Sequence, residues 1–136
     1  LVGSEMCIRD RGGVVKATVS HSSTNNDDAD CVFARRQGSA VGELRIEVKT
    51  MSESRGDFAS YTASCGAHPR PLKAIGNEAL ACSPAGKAGE LSELVVGRVR
   101  NRAFLIRLST NDSSMTQSAL SEEARSVAEQ VAGSLF

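Results

Sequence analysis

Leu94-Val95-Val96-Gly97-Arg98-Val99-Arg100 leads through Asn101-Arg102 into Ala103-Phe104-Leu105-Ile106-Arg107-Leu108. Both flanks are rich in β-branched and large apolar residues, which suit a pleated, half-buried surface. The short polar link between them predicts an antiparallel hairpin. Downstream, Leu120, Ala124, Val127, Val131 and Leu135 recur at the i, i+4, i+7 spacing of one helical stripe. A helix is therefore expected over residues 118–136, with Glu122 and Glu123 in its first turns favouring the dipole. A hairpin followed by an amphipathic helix fits a sheet with a helix laid across it.

Upstream the pattern continues. Residues 14–19 (Val-Val-Lys-Ala-Thr-Val) read as a strand, and residues 20–30 as a polar loop dense in turn formers. Cys31-Val32-Phe33-Ala34-Arg35 is a short second strand, which Gly38-Ser39 can turn back into residues 41–50. There Leu44, Ile46 and Val48 alternate with Glu43, Arg45, Glu47 and Lys49, the period of two of a half-buried strand. Phe58, Tyr61 and Thr62 sit at helical spacing, predicting a short helix within residues 52–64 that ends near Gly66. Pro69 and Pro71 bracket an extended connector, residues 75–82 form a turn feeding a strand, and residues 83–89 are a loop. The order β-β-β-α-β-β-β-α predicts an α+β fold: an antiparallel sheet, a short middle helix and a C-terminal amphipathic helix packed on the sheet.

At 136 residues the chain is one domain's worth of sequence, enough to bury a core. Aromatics are only 4% of it, so Val, Leu, Ile and Ala must build that core. Sixteen basic residues balance sixteen acidic ones, so no global field steers the chain towards nucleic acid or an anionic membrane. No apolar run is long enough to span a bilayer.

Few residues are grouped as chemistry requires. His21 and His68 fall in expected loops, and no nucleophile–base motif such as Gly-x-Ser-x-Gly or His-Glu-x-x-His occurs. Residues 25–30 (Asn-Asn-Asp-Asp-Ala-Asp) lack the glycine and terminal glutamate of an EF-hand loop. No phosphate-cradling glycine pattern is present, and no cofactor is implied. Arg98, Arg100 and Arg102 fall on alternate positions, a candidate ligand-binding row for an anion. No stacking aromatic lies among them, which argues against nucleic acid. A solvated face paired with Glu43, Glu47 or Glu90 is the plainer reading of the same row.

Residues 1–11 (Leu-Val-Gly-Ser-Glu-Met-Cys-Ile-Arg-Asp-Arg) fit no periodicity and resemble a translated sequencing-adapter read at the end of a metagenomic gene fragment. They are set aside as an artefact or a disordered end, leaving residues 12–136 as a single α+β domain truncated at its N-terminus. Asp30-Cys31-Val32-Phe33, the Leu72-to-Ala79 turn with its Ile75-Gly76-Asn77-Glu78-Ala79, the Val95-to-Leu108 hairpin and Ala124-x-x-Val127-Ala128-x-x-Val131 carry a second resemblance. Over these segments the chain is similar to small exported bacterial domains, often lipoproteins, with the plan of extracytoplasmic sensor domains of Ser/Thr kinases. The resemblance implies an antiparallel sheet covered by helices, an extracytoplasmic location and no established activity. It also implies a lost N-terminal anchor as the only tie to a membrane. That family begins with a cysteine-bearing helix, and without it Cys31 is expected to lack a partner.

An exported domain would normally pair its cysteines, which makes Cys65 and Cys82 the disulfide candidates. Two alternatives stay open: reduced thiols in a cytoplasmic protein, or a zinc set of Cys65-x-x-His68 with Cys82 and Cys31. The expected function is a non-catalytic exported domain that binds a ligand or an envelope protein. The alternatives are a cytoplasmic adaptor with free thiols, or an enzyme with no recognisable motif.

Overall fold

The computed structural model describes residues 18–25, 28–37, 39–51, 56–66, 68–84 and 88–135. Its elements are β1 (Thr18–Asn25), β2 (Asp28–Gln37), β3 (Ala40–Thr50), α1 (Gly56–Ala63), β4 (Arg70–Leu72), β5 (Glu78–Cys82), β6 (Leu91–Val99), β7 (Arg102–Thr110) and α2 (Gln117–Leu135). The fold is α+β. Seven antiparallel strands form one sheet in the order β1-β2-β3-β7-β6-β5-β4. After β3 the chain leaves the middle of the sheet, starts again at the far edge with β4, and returns strand by strand until β7 pairs with β3.

Alternation along each strand divides the side chains between two faces. On one, Ile46, Val48, Val95, Phe104 and Ile106 meet Leu120, Val127 and Val131 of α2 in the main core. Helix α2 packs on β6 and β7, and each of its fully buried Leu and Val side chains stabilises the fold by about 1.5–3 kcal/mol. On the opposite face, Leu94, Val96, Ala103 and Leu105 pack with Met51, Tyr61 and Cys65 around α1. Strand β6 is thus covered on both sides, which explains its continuous Leu94-Val95-Val96 run.

The Ile75-Gly76-Asn77-Glu78 turn docks on the β6–β7 turn. Asn77 donates its backbone N–H to the Arg98 carbonyl at 2.8 Å, and its Oδ1 accepts the Arg100 N–H at 2.6 Å. Gly76 has φ +61°, and a Cβ there would lie 2.6 Å from the Arg98 carbonyl oxygen. Only glycine fits that position.

Several expectations need correction. Residues 20–25 and 28–30, expected as a polar loop, belong to β1 and β2, which pair out to Asn25 and Asp28. The expected connector at Pro69 and Pro71 contains edge strand β4, where Pro71 pairs with Leu80. An edge tolerates proline because no further strand needs its missing N–H. The first turn of α2 holds no acidic residue, since the helix starts at Gln117 and Glu122 and Glu123 fall in its second turn. Thr116 caps it instead, its Oγ1 accepting the Ala119 N–H at 3.1 Å. Residues 1–11 and 14–17 lie outside the described residues.

A candidate ligand cleft at the β4 edge

Strand β6 carries a carboxylate where its neighbours are apolar. Glu93 shares the α2-facing side of the strand with Val95 and Val99, and its side chain is 1% exposed. A buried charge must be paired and hydrogen-bonded, and Glu93 is. Its Oε2 accepts from Arg70 Nη2 at 2.5 Å, while Oε1 accepts from Ser83 Oγ at 2.5 Å and from Gln117 Nε2 at 3.1 Å. Gln117 Nε2 also donates to the Ser92 carbonyl at 3.0 Å. Edge strand β4, the end of β5 and the first turn of α2 are all tied to this one carboxylate.

Beside it opens a cleft of about 420 Å³ between the β4 edge and α2. Leu72, Ala81 and Val95 line the sheet side. Ser118, Ser121, Glu122 and Arg125 line the helix side, and Arg70 stands between the two. The Arg70 side chain is half exposed, with Nη2 on Glu93 and Nη1 donating to Ser83 Oγ at 3.5 Å. Arg125 Nε pairs with Glu129 at 3.2 Å along the helix, and the half-exposed side chain borders the cleft. The lining contains no histidine or cysteine.

The sequence pattern hides this site because the apolar run of β6 is plain only from Leu94, three residues after the strand begins, which leaves Glu93 out. The signal was present. A glutamate in phase with Val95 and Val99, in a strand covered on both faces, must find partners inside the protein.

The arginine row dissolves in three dimensions. Arg98 lies on the α1-facing side with Leu94 and Val96, where its Nε stands 3.7 Å from Glu78 Oε1 without a hydrogen bond. Its Nη1 donates to the Arg100 carbonyl at 3.0 Å. Arg100 is in the turn at φ 56°, where strand alternation has ended. Arg102 starts β7 opposite Val99, in phase with Phe104 on the α2-facing side. The three do not share a face. Glu78, rather than Glu43, Glu47 or Glu90, is the acid beside Arg98.

Cys65 and Cys82 are joined by a disulfide with a Cα–Cα distance of 5.6 Å, tying the end of α1 to β5. Cys31, expected to lack a partner, is disulfide-bonded too. Cys31 lies in the α2-side core and the Cys65–Cys82 pair in the α1-side core. With their sulfurs oxidised and on opposite faces, they do not form the alternative zinc set with His68. Among the described residues no group of three or more His, Cys, Asp or Glu side chains could hold a metal ion.

No family model matches the chain, and no curated protein matches it. Among solved structures, an odorant binding protein, OBP1, is similar at a TM-score of 0.30 and 12% identity, over 96% of this chain and 77% of that one. A likeness at that level carries no argument about fold or function.

Proposed function

We propose that this chain is a non-catalytic, extracytoplasmic domain that binds a small ligand in the cleft between β4 and α2. The observation that carries the reading is the Glu93 network, which holds three elements in place around a cavity of ligand size. Ligand sites are concave, mostly apolar and fitted with a few fixed polar groups, commonly within roughly 300–1,000 Å³. The cleft has that make-up. It lacks the chemistry of a hydrolase, since Ser118 and Ser121 have no histidine near them in the lining and both Glu93 oxygens are held by Arg70, Ser83 and Gln117.

Oxidised cysteines support a location outside the reducing cytoplasm. Among the described residues no helix is long and apolar enough to cross a membrane. These features accord with the resemblance to exported bacterial domains of sensor or lipoprotein type, whose activity is not established. In this reading the domain recognises a ligand and passes its presence to an envelope partner.

The test is a ligand-observed NMR screen of small organic acids, amines and neutral compounds against the wild type and Ser121→Phe. The substituted ring fills the helix side of the cleft without entering the core. Hits that bind the wild type and lose binding to Ser121→Phe support the reading, while hits indifferent to the substitution place the ligand elsewhere and overturn it.

A further inference from the structure

The functional reading names a cleft but no ligand class, and the inference here rests on that reading. Which charge the cleft accepts follows from what a ligand can reach. Glu93 is 1% exposed and both its oxygens are occupied, so it is unavailable to a ligand. Its role is to position Arg70. The remaining charged lining groups are Arg70, Arg125 and Glu122. Glu93 and Glu122 offset the two guanidinium charges in the lining, so the preference rests on which groups a ligand can reach: two half-exposed arginines and one carboxylate.

The neutral groups favour the same sign. The hydroxyls of Ser118 and Ser121 can donate into the cleft, and the first turn of α2 carries no acidic side chain against its positive dipole end. Arginine is suited to a carboxylate because its fork offers paired, charge-assisted hydrogen bonds. Behind these groups the wall is apolar, formed by Leu72, Ala81 and Val95.

We infer that the cleft binds a small hydrophobic monocarboxylate, its carboxylate between Arg70 and Arg125 and its apolar body against Leu72, Ala81 and Val95. A ligand of that form satisfies both parts of the lining at once. A bare inorganic anion would leave the apolar wall wet, and an amine would face the two arginines. Glu122, on the helix rim, opposes the ligand's charge and limits affinity.

The test is calorimetric titration of the full chain with matched ligands: octanoate and 3-phenylpropionate, their primary amides, and octylamine. The two acids are expected to bind at least about tenfold more tightly than their amides, as expected for charge-assisted contacts. Arg70→Ala should weaken octanoate by about tenfold and Arg125→Ala by about threefold, while Glu122→Gln tightens it by about threefold. Because Arg70→Ala also strips Glu93 of a partner, Arg70→Lys and Glu122→Gln provide independent readings, the latter at an exposed position. Octanoate preferred over 3-phenylpropionate would indicate an aliphatic ligand, and the reverse an aromatic acid; either supports the inference. Amides or octylamine binding as well as the acids, with loss in Ser121→Phe, would overturn the anionic class and leave the cleft reading intact. No binding by any of the five compounds would overturn the hydrophobic monocarboxylate, while the screen with Ser121→Phe decides the cleft reading separately.

Discussion

The Arg70 guanidinium meets the Glu93 carboxylate at 2.5 Å although their strands are not neighbours. Strand β5 lies between them, and in register Arg70 faces Ala81, which faces Val95. Ala81 presents only a methyl group, so the Arg70 side chain can cross β5 and reach Glu93, two residues before Val95. The same small residue leaves the floor of the cleft open. One alanine thus permits both the ion pair and the cavity.

Removing the arginine exposes the cost of a buried carboxylate. Arg70→Ala should lower stability by about 1–3 kcal/mol, with Ser83 and Gln117 still satisfying the other oxygen. Replacing both partners, as Arg70→Met with Glu93→Leu, should recover most of that loss, because no unpaired charge remains. Urea unfolding of the two variants measures the difference.

The turn that docks on the hairpin should be equally sensitive. Gly76→Ala adds a Cβ against the Arg98 carbonyl at a positive φ, and is expected to cost about 1–3 kcal/mol. Asn77→Ala loses the acceptor for the Arg100 N–H and should cost about 1 kcal/mol. Gly97→Ala places a methyl group into the Phe104 ring across the β6–β7 pair and should rank with Gly76→Ala. Denaturant midpoints at constant m-value check all three.

The Cys65–Cys82 bond closes a separation of 17 residues, for which the chain-entropy model gives about 3 kcal/mol. Cys65→Ser with Cys82→Ser should lower the thermal midpoint by about 10 °C, as about 3 kcal/mol does in a domain of this size. The bond also fixes the residue before Ser83, whose hydroxyl holds Glu93. The double variant should therefore exchange the Ser83 and Ser92 amides faster than the wild type, read by hydrogen exchange.

Local pattern made much of the fold legible. The alternation of Leu44, Ile46 and Val48 predicts β3, and the stripe from Leu120 to Leu135 predicts α2 and its buried face. The β6–β7 hairpin is equally plain in the run that precedes and follows Asn101. What failed were segments whose structure depends on neighbours. The polar residues 20–25 form a strand only because β2 is there to pair with them, and Pro71 joins β4 only because the sheet ends there. Of the candidate site only Glu93 left a signal in the sequence, and its partners did not, for a related reason. Arg70, Ser83, Glu93 and Gln117 are scattered over nearly fifty residues, so no spacing rule joins them. The arginine row erred oppositely: regular in sequence, it is broken by the turn at Arg100.

The most direct test of the account is a map of backbone amide shifts as octanoate is titrated into the isotopically labelled chain. The account predicts that the largest shifts fall at Leu72, Ala81, Val95 and residues 117–125, with no comparable change around α1. Shifts centred on Arg98, Arg100 and Arg102, or on the α1 face, would contradict it, as would a spectrum that does not move.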